Sequence, residues 1–171
     1  YLKNVEIIEH IKVAASRGII IDSSAIKVDM EKVQEFKNGV VKKLTSGVEA
    51  LLKSNGVDIY RGVGKINKNK DVVVNDNQVI KADKIILAGG SKVSQINIPG
   101  IESEKVLTSD DLLAIKEVPE TLAVIGGGVI GTEMGQSFAG LGSKVTIIEM
   151  MDRIVANRDH EGSAERSRDI Q

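Results

Sequence analysis

Residues 121–149, TLAVIGGGVIGTEMGQSFAGLGSKVTIIE, decide how this chain is read. Leu122, Ala123, Val124 and Ile125 form an apolar run of the length of a buried parallel strand. Gly126, Gly128 and Gly131 follow in G-x-G-x-x-G spacing. The first glycine permits a tight turn, the second leaves room for a pyrophosphate against the backbone, and the third lets a helix pack closely on the strand. Ile130, Met134, Phe138 and Leu141 then recur at helical spacing, and Val145, Thr146, Ile147 and Ile148 make a second strand closed by Glu149. Three glycines alone would be a weak signal, because many turns match them. Set between a strand and a helix, they predict a Rossmann-like βαβ nucleotide-binding unit.

The chemistry follows from the placement. A helix beginning after Gly128 points its free N–H groups and positive dipole end at the turn, which suits phosphate. Glu149 stands 18 residues beyond Gly131, where a carboxylate accepts hydrogen bonds from the hydroxyls of the adenosine ribose. That carboxylate would repel a 2′-phosphate, so NAD is preferred to NADP although Arg153 lies four residues on. The expected NAD-binding residues are Gly126, Gly127, Gly128, Val129, Ile130, Gly131, Thr132, Glu133 and Glu149.

Bulk properties narrow the alternatives. A chain of 171 residues, 42% hydrophobic and 27% charged, has enough apolar sequence for one good core or two small ones. Its net charge of −1 gives no reason to expect nucleic acid or an anionic membrane as partner. The four aromatic side chains (Tyr1, Phe36, Tyr60, Phe138) are too few for a base-stacking surface. There is no cysteine, hence no disulfide, thiolate metal site or thiol redox centre in these residues. His10 and His160 lack metal-ligand spacing, and no metal or catalytic residue is expected. No apolar run approaches the length of a membrane span and no signal-type apolar region opens the chain, so a cytoplasmic location is expected.

Upstream, residues 2–17 carry an apolar stripe of Leu2, Val5, Ile8, Ile11 and Ala15 that Gly18 ends. A longer amphipathic helix fits 29–54, stopped by Asn55 and Gly56. Gly39 and Gly47 inside it weaken it, by roughly 1 kcal/mol each against alanine, unless something approaches closely there. Residues 57–82 read as an antiparallel meander, with strands at 57–60, 62–66, 71–75 and 79–82. Residues 84–88, KIILA, are continuously apolar and suit a buried strand. Ser109 is a candidate cap for a short helix carrying Asp110 and Asp111 in its first turn. Residues 157–171 are charged, without a packing stripe, and read as a polar tail.

Taken together, RGVGKI at 61–66, KIILAGGSKVSQINIPGIE at 84–102, TSDDLLAIKEVPETLAVIGGGVIGTE at 108–133 and KVTIIEMMDRIV at 144–155 resemble the pyridine nucleotide–disulfide oxidoreductase family. The resemblance covers nearly all of the chain up to residue 155. It implies part of an FAD-binding domain over 1–107, with helices and meander, and part of an NAD-binding Rossmann domain over 108–156. The implied FAD contacts are Gly64 and the turn Gly89, Gly90 and Ser91, where Gly89 replaces the usual threonine and Val93 a common proline. Glu133 resembles the family's glutamate near the nicotinamide end. Within the family the resemblance points to members that pass electrons from dihydrolipoamide, carried on lipoyl domains, through a cysteine pair and FAD to NAD.

The cysteine pair, an upstream FAD-pyrophosphate unit and a His–Glu acid–base pair have no counterpart in these residues. The chain therefore reads as about the middle third of a subunit, expected to be inactive alone. With its sheet edges and faces uncovered, it is expected to form a homodimer or otherwise self-associate. Two other readings stay open: an NADH oxidase or related flavoprotein reductase, and a non-enzymatic NAD-binding module.

Overall fold

A computed structural model describes residues 1–155. The polar tail expected at 157–171, with His160, lies outside the described residues. The architecture is mixed α/β, with a parallel strand pair in one compact unit and an antiparallel meander in another. Among the described residues the first unit comprises 1–37 and 95–155, and the second 38–94.

In the first unit, β4 (Thr121–Ile125) and β5 (Lys144–Ile148) pair in parallel, from Thr121 opposite Lys144 to Ile125 opposite Ile148. They are joined by α4 (Val129–Leu141), as the switch from strand to helical periodicity predicts. Along both strands side chains alternate, so Leu122, Val124, Val145 and Ile147 turn towards cover while the positions between them are exposed. Gly135 lets α4 settle onto the sheet, since a Cβ there would lie 3.0 Å from Ile147 Cδ1. The outer face keeps Ile125 and Ile148 each 55% exposed.

The helix α1 (Leu2–Val13) packs on α4, with Val5 seated over Gly140, where a Cβ would come within 3.0 Å of Val5 Cβ and closer still to its methyls. Tyr1 meets the fully buried Phe138 edge-on, ring centroids 5.8 Å apart. The Tyr1 hydroxyl donates to Leu113 O and accepts from Gln34 Nε2, which also donates to Leu113 O and Ile115 O. Lys37 Nζ donates to the same Leu113 carbonyl. These donors serve carbonyls just beyond α3 (Ser109–Leu112), whose helical ladder leaves them without backbone donors. Burial pushes the Tyr1 hydroxyl pKa upward, partly offset by the Gln34 hydrogen bond.

The cap of α3 is Thr108 rather than the expected Ser109. Asp111 lies three residues beyond Thr108 and completes a capping box: its carboxylate accepts from Thr108 N at 2.9 Å while its own N–H donates to Thr108 Oγ1. Starting at Ser109 would put Leu112 in that reciprocal position, which cannot accept.

The helix α2 (Met30–Ser54) forms where the stripe places it, but of its residues only Met30 is buried. Phe36, Leu44 and Leu51 stay 71%, 64% and 64% exposed. Nothing approaches Gly39 or Gly47 closely, because a Cβ at either would meet nothing within 4 Å. They are tolerated as helix-weakening residues in a long helix.

In the second unit, β1 (Gly64–Ile66), β2 (Val72–Val74) and β3 (Gln78–Ile80) form the meander in sequence order. Between β2 and β3, Asn75 and Asp76 both take positive φ, 51° and 58°, in a hairpin turn closed by Asn77 N donating to Val74 O. Two expected strands do not form. Residues 57–60 and 84–88 have no ladder partner among the described residues, and Ile86 and Leu87 are 90% and 82% exposed. A continuous apolar run becomes a buried strand only when neighbours supply hydrogen bonds along its edges and cover its faces.

Candidate nucleotide-binding site

The site is built where β4 ends. Gly126 N donates to Ile148 O at 2.9 Å, which extends the parallel ladder by one bond before the chain turns. Gly126 has φ of 104°, a left-handed conformation that side-chain-bearing residues avoid. Gly128 is the N-cap residue of α4 with extended backbone, so the N–H groups of the first helical turn have no intrahelical acceptor. Thr132, fully buried, anchors that turn by donating its hydroxyl to Gly128 O and Val129 O, both at 3.0 Å.

The three glycines differ in their surroundings. At Gly131 a Cβ would collide with the Gly126 carbonyl oxygen and lie 3.2 Å from Val124 Cγ1, so the helix could not approach the strand. At Gly128 a Cβ would meet nothing within 4 Å, leaving open space beside the helix start. That combination, a closely packed third glycine and an unobstructed second one, fits a pyrophosphate lying against the turn.

Glu149 arrives from the end of β5. Its Oε2 accepts from Gly127 N at 2.6 Å and its Oε1 from Met151 N at 2.8 Å. These backbone donors, Met151 first and then Gly127, hold the Glu149 pKa below the ordinary glutamate value. Beyond it the chain doubles back, and Val155 N donates to Gly127 O at 2.7 Å. The structure thus brings Gly126, Gly127, Gly128, Val129, Ile130, Gly131, Thr132 and Glu149 to one turn. Glu133 is half-buried on α4, one helical turn beyond Val129.

The sequence profile described as "Pyridine nucleotide-disulphide oxidoreductase" matches residues 3–169. The chain belongs to this family. Among curated relatives, it is 42% identical over 165 residues to a dihydrolipoyl dehydrogenase of Acholeplasma laidlawii, covering 94% of this chain and 48% of that protein. To a dihydrolipoyl dehydrogenase of Bacillus subtilis it is 35% identical, covering 94% and 36%. Among solved structures, the HOCl-induced flavoprotein disulfide reductase RclA of Escherichia coli superposes with a TM-score of 0.71 at 30% identity, over 84% of this chain and 33% of that one. The chain thus spans half or less of the length of these relatives.

The residues expected at FAD lie in the second unit. Gly64 opens β1 opposite Val74, while Gly89, Gly90 and Ser91 lie in an exposed segment without regular structure, Gly90 with φ of 73°. A depression of about 440 Å³ in that unit is lined by Asn69–Asp71, 81–83 and Ile85, none of them a predicted contact. The family's glycine turn has a further neighbour that sequence reading missed. Ile154 and Val155 lie over Gly127, and Val155 is only 1% exposed. Their apolar character after a charged pair, Asp152 and Arg153, was the available signal. Among the described residues no acidic, histidine or cysteine cluster could hold a metal, and no helix is long and apolar enough to cross a membrane.

Proposed function

We propose that Gly126–Glu133 and Glu149 bind NAD in a flavoprotein that oxidises dihydrolipoamide on lipoyl carrier domains. The observation that carries this reading is the glycine turn itself, with Gly131 packed against the Gly126 carbonyl and Glu149 drawn up beside Gly127. The N–H groups at the start of α4 would face the pyrophosphate, Gly128 would leave the space it needs, and the Glu149 carboxylate would accept from the adenosine ribose hydroxyls. When bound, NAD supplies the hydride acceptor and FAD the relay to it. Gly64, Gly89, Gly90 and Ser91 are the proposed FAD contacts, within a partial FAD-binding domain at 1–107 that precedes a partial NAD-binding domain at 108–156.

The choice of dihydrolipoamide rests on the curated relatives. With no cysteine to exchange with a dithiol, residues 1–171 alone should not turn it over. The protein is proposed to be cytoplasmic, and the uncovered faces of α2 and of the β4–β5 pair support self-association or homodimer formation. Titrating the protein with NADH and NADPH while following nicotinamide fluorescence tests the site. Binding of NADH at least tenfold tighter than NADPH is expected, from repulsion between Glu149 and a 2′-phosphate. Equal affinity, or none for either, would end the assignment.

A further inference from the structure

Glu149 is engaged before any ligand is considered. A carboxylate has about four lone-pair directions on its two oxygens. In Glu149 one direction on Oε2 is used by Gly127 N and one on Oε1 by Met151 N. The acid is thereby fixed in place. On the other side of Gly127, its carbonyl accepts from Val155 N. Val155 makes that bond from a φ of 51°, a left-handed conformation unfavourable for a β-branched residue, and it is buried while doing so. The turn residue Gly127 is therefore gripped at both its N–H and its C=O by the segment that follows β5.

The consequence is directional. Across a planar trans peptide the N–H points opposite to the preceding C=O. Holding Gly127 O towards Val155 turns Gly128 N–H away from that segment. Gly127 must itself lack a side chain for this to work. A Cβ there would stand 3.1 Å from both Glu149 Cβ and Oε2 and 3.0 Å from Ile154 Cγ2, so the carboxylate could not close over the turn.

We propose that Glu149 is a positioning residue of the glycine turn as well as a ribose acceptor: with Val155 N–H it clamps Gly127 and sets the direction of the N–H groups that receive phosphate. The proposal rests on the nucleotide reading of the site and deepens it. A ribose acceptor matters only to ligands that carry ribose hydroxyls. A clamp matters to any diphosphate, and to the turn in the free protein.

The test uses Glu149→Gln, ADP and 2′,3′-dideoxy-ADP, with amide exchange of Gly127 followed by NMR in the ligand-free protein. Glutamine keeps the length but presents one oxygen and one NH2, so it cannot accept from both backbone donors. The clamp predicts that the variant loses roughly tenfold or more in affinity for both nucleotides, one charge-assisted hydrogen bond being about that much. It also predicts that Gly127 exchanges at least about tenfold faster, while Val124 and Ile147 in the sheet are unchanged. Loss of ADP affinity alone, with dideoxy-ADP unaffected, would mean a ribose contact and no clamp. Tighter dideoxy-ADP binding would mean that only charge had been removed, and would overturn the proposal equally.

If the natural protein bound neither nucleotide, the NAD reading would fail while Gly127 exchange still decided the clamp. Should the variant not fold, a scalar coupling across the hydrogen bond from Gly127 N to the Glu149 carboxylate carbon, measured in the unaltered protein, is expected; its absence would refute the clamp.

Discussion

Replacing Gly128 by alanine should separate binding from folding. The residue sits at φ −71° and ψ −176°, a conformation any residue can adopt, and a Cβ there meets nothing within 4 Å. Alanine would reduce the freedom of the unfolded chain, a gain of about 0.4–1 kcal/mol. It is a poorer helix cap than glycine, a loss of the same order. The net change in stability should lie within about 1 kcal/mol of zero, a shift in Tm of no more than roughly 4 °C for a chain of this size. Binding should respond differently, because the new methyl stands where the pyrophosphate would lie. Losing two hydrogen bonds to a charged group costs about 3 kcal/mol or more, which is roughly a hundredfold in Kd. Gly131→Ala is the contrasting variant. Its Cβ would strike the Gly126 carbonyl, so the helix start must withdraw by about 1.5 Å to restore ordinary contact. Such overpacking costs about 1–3 kcal/mol and should lower Tm with or without ligand. Calorimetry of both variants, paired with NADH titration, checks the pair. A Gly128→Ala protein that folds normally and binds NADH with unchanged affinity would refute the assignment of this turn.

Three further outcomes are expected. The Glu149 pKa is depressed in the folded chain, so its contribution to stability is present above the unfolded glutamate pKa and is lost as pH falls through the lower, folded value. Urea unfolding at a series of acidic pH values should show a decline that is shallower in Glu149→Gln; identical pH dependence would contradict the backbone hydrogen bonds as its cause. Gly140→Ala should push α1 off α4 at a cost of about 1–3 kcal/mol, and Val5→Ala should recover part of that loss in the double variant, as a thermal double-mutant cycle would show by departing from additivity. Gln34→Leu removes the donor to Ile115 O and one of the donors to Leu113 O, and should lower stability by about 1–2 kcal/mol in chemical denaturation.

The glycine turn was legible because its causes are local. A strand end, a turn needing positive φ at Gly126 and a helix start at Val129 are written within eight consecutive residues. Only the position of Glu149 needed the second strand, and the parallel register of β4 and β5 delivers it. What sequence reading missed depends on which element meets which. Val5 is an ordinary stripe residue until Gly140 is opposite it, and nothing in either residue names the other. The cap at Thr108 was a nearer miss, since the Asp111 that decides it was in view three residues later.

The apolar run at 84–88, which forms no strand, and the stripe of α2, which does form its helix, both lack cover, and for a common reason. Their apolar patterns describe faces that suit cover, as hydrophobic periodicity always does, but periodicity carries no information about the surface that provides it. Phe36, Leu44 and Leu51 on α2 and Ile86 and Leu87 beyond β3 remain exposed in a chain that spans half or less of its relatives' length. The glycine turn contrasts with them because, among the described residues, the contacts and hydrogen bonds that shape it run between Val124 and Val155. A site whose contacts close within some thirty consecutive residues can take its geometry from those residues alone, whereas a strand or helix that waits for distant cover cannot. By that argument the glycine turn should keep its shape when α2 is perturbed. Phe36→Ser, on the exposed face, should change NADH affinity by less than about twofold, and a larger loss in a binding titration would show that the turn depends on the helices after all.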